Sequence, residues 1–128
     1  MKNNILADTC VWIEFFRPQS SAGERLASLL QKNSVWTCGI VLFELLQGIR
    51  SEREKKLILG IMQGLPYIEM TPRLWNKSAA LAASMKQKGL TLPHSDIFIA
   101  SITIEHNFSL FTLDRHFESI PGISFYKS

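Results

Sequence analysis

Apolar residues in this chain come in short runs separated by stretches with helical spacing, and the alternation predicts the elements one by one. NNILAD (3–8) reads as a short buried strand that ends on an acid. TCVWIEFF follows as a helical or turn-like start, broken at Arg17-Pro18. Leu26, Leu29 and Leu30 mark the inner face of a helix over about 20–32, and SVWT (34–37) reads as a second strand. GIVLFELLQGIR (39–50) predicts an apolar helix. The polar stretch Ser51–Lys56 leads into another helix over 53–63, which Gly64 and Pro66 end. YIEM (67–70) is a third strand. Thr71-Pro72 reads as an N-cap followed by proline at the first helical position. That helix runs to about Lys88 with an alanine-rich face at 79–83, and Gly89 caps it. Pro93-His94-Ser95-Asp96 opens IFIASITIEH, a helix to about 106. FSLFT (108–112) is a fourth strand, Asp114–Ser119 a turn or one-turn helix, and ISFY (123–126) a last edge strand.

Strands alternating with helices predict an α/β domain with a mostly parallel sheet flanked by helices. The 128 residues suit one domain, 1–128, and a 46% hydrophobic content is enough to bury a core at this size. No apolar run approaches the ~18–20 residues of a membrane span. The opening MKNNILADT lacks the apolar centre of a secretory signal, so a cytoplasmic protein is expected. Cys10 and Cys38 form no CxxC pair or Cys/His ladder, which argues against zinc and for reduced core thiols. A net charge of +3 is compatible with a polyanionic partner without requiring one.

The acids change the picture. Of the eleven, eight are Glu and only three are Asp: Asp8, Asp96 and Asp114. Asp8 ends the first strand and Asp114 closely follows the fourth, and ligands of open parallel sheets bind at the carboxyl ends of strands. Glu44 lies inside GIVLFELLQGI, either exposed on an amphipathic helix or pointing inward, where it needs a partner or a metal. Asp96 sits in the first turn of its helix, where an acid favours the helix dipole. Each position has a structural explanation of its own: a strand end or cap for Asp8, a solvated helix face for Glu44, dipole compensation for Asp96, a turn for Asp114. Only the combination is specific. If all four converge, two carboxylates ~5 Å apart repel by roughly 3 kcal/mol at an effective dielectric of ~20, and the set requires a cation. Such oxygen ligands suit Mg²⁺ or Mn²⁺, ions that activate water and stabilise charge on a phosphoryl oxygen.

LADTCVWIEFF, TCGIVLFELLQGI and LPHSDIFIASITIEHNFSLFTLDRHFESIPGI together resemble the three acidic blocks of PIN-domain proteins, specifically the VapC toxins of bacterial toxin–antitoxin pairs. The resemblance spans nearly the whole chain. It implies a PIN-like three-layer fold with a central, mostly parallel sheet of four to five strands between helices. It implies a Mg²⁺- or Mn²⁺-dependent endoribonuclease that hydrolyses RNA by metal-activated water and leaves 5′-phosphate and 3′-hydroxyl ends. It also implies a cognate VapB-type antitoxin, a homodimer, and a larger toxin–antitoxin assembly. By position, Asp8, Glu44, Asp96 and Asp114 are the metal and catalytic residues. Thr9 matches the hydroxyl beside the first acid, with either a hydrogen bond to a water or phosphate or an N-cap as its role. Thr112 has a weaker claim of the same kind. The chain departs from many relatives at His116, where they carry a further Asp; this weakens a second metal and leaves His116 as a phosphate contact or a partly exposed turn residue.

Arg17, Arg50, Arg53, Lys55, Lys56 and Arg115 are candidates for phosphate contacts, although SEREKK reads better as a solvated helix face. Trp12, Trp36 and Trp75 offer rings for base stacking, but their apolar settings favour core or interface packing. A haloacid-dehalogenase-like phosphatase needs a second Asp two residues after the first, where this chain has Cys10. A receiver domain needs clustered early acids and a later lysine, and only Asp8 is early. The competing class is a PIN-like module that binds RNA or protein without cleaving.

Overall fold

The structure, a computed structural model, describes residues 4–127. In chain order its elements are β1 (Ile5–Ala7), α1 (Thr9–Phe15), α2 (Ser21–Gln31), β2 (Val35–Cys38), α3 (Gly39–Gln47), α4 (Glu52–Met62), β3 (Tyr67–Ile68), α5 (Pro72–Gln87), α6 (His94–Glu105), β4 (Ser109–Phe111), a 3₁₀ turn (Arg115–Ser119) and β5 (Ser124–Phe125). All pairings between strands are parallel, in the order β3-β2-β1-β4-β5. The expected α/β domain with a central sheet is therefore present, with every strand parallel rather than most. Parallel strands need crossovers, and crossovers are right-handed. The chain steps one way from β1 to β3 and then returns past β1 to β4. The helices of the two halves accordingly lie on opposite faces, giving three layers.

The strands are shorter than the hydrophobic pattern predicts. YIEM pairs only through Tyr67 and Ile68, because its partner β2 ends at Cys38, opposite Ile68, where α3 begins. Glu69 and Met70 instead lead to Thr71, whose hydroxyl caps α5 by accepting from the Leu74 N–H at 3.2 Å. Of the first predicted strand, Asn3 lies outside the described residues and Asp8 has left the strand to cap α1. The helix predicted to Arg50 stops at Gln47, capped by Gly48. Ser51 then starts α4 by accepting from the Glu54 N–H at 3.1 Å, while the Glu54 carboxylate takes the Arg50 N–H at 2.6 Å.

β1 is central and wholly buried, as a strand covered on both faces must be. Around it pack Trp12, Leu26, Ile99, Ile102, Leu110 and Phe117, all essentially inaccessible. Burying each such side chain contributes about 1.5–3 kcal/mol. Leu26 and Leu29 form the inner face of α2 as expected, and Leu30 is only partly buried. The two helices of the first crossover touch through backbone. A Cβ on Gly23 of α2 would lie 2.6 Å from the Glu14 carbonyl oxygen and 2.9 Å from the Phe15 Cα of α1. Gly60, in the exposed part of α4, has nothing within 4 Å of a Cβ. Denaturant titration should show Gly23→Ala losing about 1–3 kcal/mol through forced separation of α1 and α2. Gly60→Ala should gain about 0.5–1 kcal/mol from helix propensity. Equal effects at the two sites would contradict this packing.

Candidate active site

The strand order reverses at β1, whose neighbours β2 and β4 lie on opposite sides. The carboxyl ends of β1 and β4 form the crevice where open parallel sheets bind ligands. Asp8 follows β1 directly, and its N–H continues the ladder by donating to the Phe111 carbonyl at 2.9 Å. Its side chain is buried and committed on both oxygens. Oδ1 caps α1 by accepting from the Thr9 N–H at 2.8 Å. Oδ2 accepts from the Thr112 hydroxyl at 2.9 Å and from the Cys10 thiol at 3.4 Å. The N-cap is thus Asp8, which corrects the alternative that made Thr9 the cap. Thr9 is the first residue of α1, and its hydroxyl is free to donate to Glu44 Oε1 at 2.7 Å.

Glu44, partly buried on α3, therefore faces the start of α1 rather than bulk solvent alone. It stands on the rim of two clefts. One, of about 560 Å³, lies among α3, β3, α5 and α6, lined by Phe43, Tyr67, Trp75 and Phe98. The other, of about 500 Å³, lies among α1, α3 and α4, lined by Ile13, Phe16, Leu45, Ile49, Leu57 and Ile58.

Asp96 occupies the first turn of α6, as expected, and is 8% exposed. Its Oδ2 is buried with no hydrogen-bond partner. Asp114 caps the 3₁₀ turn, its Oδ1 accepting from the His116 N–H at 2.9 Å. Its own N–H donates to the Thr112 hydroxyl at 3.0 Å. Thr112 consequently joins Asp8 to the backbone of Asp114. Asp96, Asp114 and His116 each offer one ligand atom within 4.8 Å of the others. His116 Nδ1 lies 3.1 Å from Asp114 Oδ1 and 3.9 Å from Asp96 Oδ2. Arg115, beside Asp114, is exposed.

The charges act on one another across the crevice. Asp96 is pushed up to about 6 by burial first, then by the negative charges of Asp114 and Asp8, with His116 opposing and Glu44 adding a little. Burial also raises Asp8, although the donors Thr112, Thr9 N–H and Cys10 pull it back. Burial and the Asp8 charge raise Cys10, which stays a thiol. A divalent cation answers this arrangement: the donors are hard carboxylate oxygens, mutually repelling, and one buried oxygen is unpartnered.

Other expectations resolve simply. SEREKK is exposed along its length, and Trp12 is core. Trp36 packs on Phe108. Trp75 is half-exposed and stacks edge-on against Phe98. Neither thiol is in a disulfide; Cys38 is buried, whereas Cys10 belongs to the crevice rather than the core. The clamping role of Thr112 and its contact with Cys10 had no signal in composition, since both join residues about a hundred positions apart. The weight of His116 was also hidden. The resemblance marked the position as one where relatives carry an acid, but not that its ring reaches both Asp96 and Asp114.

These features define a class: a parallel α/β domain with an acidic, metal-compatible crevice at its switch point. The PIN domain model matches residues 5–123, and the chain belongs to that family. It is 25% identical over 125 residues to a protein named Ribonuclease VapC11 from Mycobacterium tuberculosis, covering 94% of this chain and 93% of that one. The fold is shared with VapBC from Salmonella typhimurium, solved bound to DNA (TM-score 0.81, 23% identity, 97% of each chain). It is shared too with VapBC2 from Rickettsia felis, solved bound to a promoter DNA fragment (TM-score 0.80, 24% identity, 95% and 96% of the chains).

The raised Asp96 makes stability pH-dependent. Between its ordinary value of 3.8 and about 6 the folded chain binds more protons than the unfolded chain. Metal-free stability therefore falls as pH rises through that window, by of the order of 2–3 kcal/mol, and stays low above it. Asp96→Asn should melt several degrees higher than the parent in chelator at pH 7.5 and about equally at pH 4, by calorimetry. A lower melting temperature for the variant at pH 7.5 would contradict the charge crowding.

Proposed function

We propose that this chain is a Mg²⁺- or Mn²⁺-dependent endoribonuclease of the VapC type, a toxin restrained by a VapB-type antitoxin. The observation that carries this reading is the buried, unpartnered Asp96 Oδ2 among three other acids at the switch point. Asp8, Glu44, Asp96 and Asp114 would hold the ion, directly or through water. When bound, such an ion supplies Lewis-acid activation of water and offsets charge building on a phosphoryl oxygen. The chain's own groups orient and exclude. Thr112 fixes the Asp8 carboxylate, and Thr9 fixes Glu44. The backbone of β1 and β4 holds both strand ends in register. Arg115 stands exposed beside the acids, suited to a backbone phosphate of RNA.

Partners follow from the surface. The apolar groove among α1, α3 and α4 fits a helical tail of the antitoxin, with Arg17 and Arg50 at its edge. Exposed Phe43, Tyr67 and Trp75 suit burial against a second copy in a homodimer, and antitoxin binding would build the larger assembly. Among the described residues no helix is long and apolar enough to cross a membrane, in keeping with the cytoplasmic site of action proposed here.

Purified chain should cleave RNA with Mg²⁺ or Mn²⁺ and lose cleavage in chelator. Asp8→Asn, Asp96→Asn and Asp114→Asn should each reduce the rate by about 10²-fold or more with an unchanged circular dichroism spectrum. Parent and variants cleaving equally would mean a contaminating nuclease; a metal-replete parent that binds RNA uncut would favour the non-cleaving module. For the antitoxin, Ile13→Asp and Leu57→Asp, both at exposed groove positions, should weaken complex formation about tenfold or more while the free variants still cleave. An antitoxin affinity that ignores both changes would place the contact elsewhere.

A further inference from the structure

The His116 ring is placed against two of the acids of the crevice, Asp96 and Asp114. The 3₁₀ turn begins at Asp114, whose Oδ1 takes the His116 N–H at 2.9 Å. That bond holds the backbone of the turn close to Asp114, and the His116 ring lies with Nδ1 3.1 Å from Asp114 Oδ1 and 3.9 Å from Asp96 Oδ2. A plain account makes this an ion pair decorating a turn. It fails at Asp96. Oδ2 is buried and has no donor, and 3.9 Å is too long for Nδ1 to serve as one. The same separations suit ligands that share an ion: groups bound to one small divalent cation at about 2.1 Å lie about 3–4.2 Å apart.

We propose that His116 Nδ1 is a nitrogen ligand to the divalent ion held by Asp96 and Asp114, and that it biases this site toward Mn²⁺ over Mg²⁺. The inference rests on the reading that these carboxylates hold a divalent ion, and it adds a ligand and an ion preference to that reading. The chemistry of the donors carries it. Mg²⁺ takes hard oxygen ligands and sheds water reluctantly, so exchanging a carboxylate for an imidazole removes both a charge and an oxygen it prefers. Mn²⁺ takes the same oxygen ligands but, as a softer first-row transition ion, loses less than Mg²⁺ does when an imidazole nitrogen replaces one of them. An imidazole ligand adds no anionic charge to the acids that already crowd Asp96. The ring is 64% exposed, so changing it does not disturb the core.

The test is Mn²⁺ binding to the whole chain without RNA. Pulsed electron paramagnetic resonance of bound Mn²⁺ should show coupling to one imidazole ¹⁴N. The coupling should vanish in His116→Ala and persist in His94→Ala and His106→Ala, whose rings lie at the two ends of α6. In competition titrations His116→Asp should lower the preference for Mn²⁺ over Mg²⁺ by about tenfold or more. Bound Mn²⁺ with no nitrogen coupling in the parent overturns the inference and leaves the carboxylate site standing. So does coupling that survives His116→Ala, or an ion preference that His116→Asp leaves unchanged. A parent that binds no Mn²⁺ at millimolar concentration overturns the carboxylate site and the inference together.

Discussion

Acidic side chains that repel one another are held together at one end of a parallel sheet, and the surrounding structure is arranged around that repulsion. Asp8 and Asp96 are both buried, and each sits above its ordinary carboxyl range because water is excluded and other acids are near. The sheet keeps Asp8 and Asp114 in place, and the buried face of α6 keeps Asp96 beside them. β1 and β4 pair in register through buried apolar residues, so their carboxyl ends cannot drift apart without exposing the core. Hydrophobic burial of many side chains outweighs a few kilocalories of charge crowding.

Hydroxyls and backbone amides blunt the repulsion selectively. Asp8 has donors on both oxygens, Glu44 has Thr9, and Asp114 has the N–H of the turn it caps. Asp96 alone keeps an oxygen that is buried and bare. Such a group is costly in the metal-free fold, and proteins tolerate that cost where function requires it. Asp8, Asp96 and Asp114 also have structural duties, as caps or first-turn residue, so the ordinary explanations of these positions and the functional one coexist in the same side chains. The hydroxyl of Thr112, donating to Asp8 and accepting from Asp114, links two strand ends that the sheet alone would only place side by side.

Much of this was legible in the chain. The helix carrying Asp96 in its first turn and the Thr71-Pro72 start follow from local rules and are where those rules put them, and the first strand falls one residue short of its expected end, at Ala7, because Asp8 caps α1. Strand lengths were less legible, since the apolar run YIEM does not reveal that its partner stops at Cys38. Thr9 illustrates a subtler limit. Two adjacent residues, Asp8 and Thr9, can each cap a helix, and choosing between them depended on Glu44, thirty-five positions away, taking the Thr9 hydroxyl.

Periodicity, capping residues and the placement of three Asp at element ends are local properties, so the sequence by itself determined the α/β order of elements and which acids to watch. The direction in which each acid points is not local. Only the tertiary structure decided that Glu44 faces α1, that Cys10 and Thr112 crowd Asp8, and that the His116 ring turns toward Asp96 and Asp114. Those contacts join the start, middle and end of the chain. They exist because parallel crossovers bring distant strand ends to one crevice, where burial and charge act over a few ångströms whatever the separation along the chain.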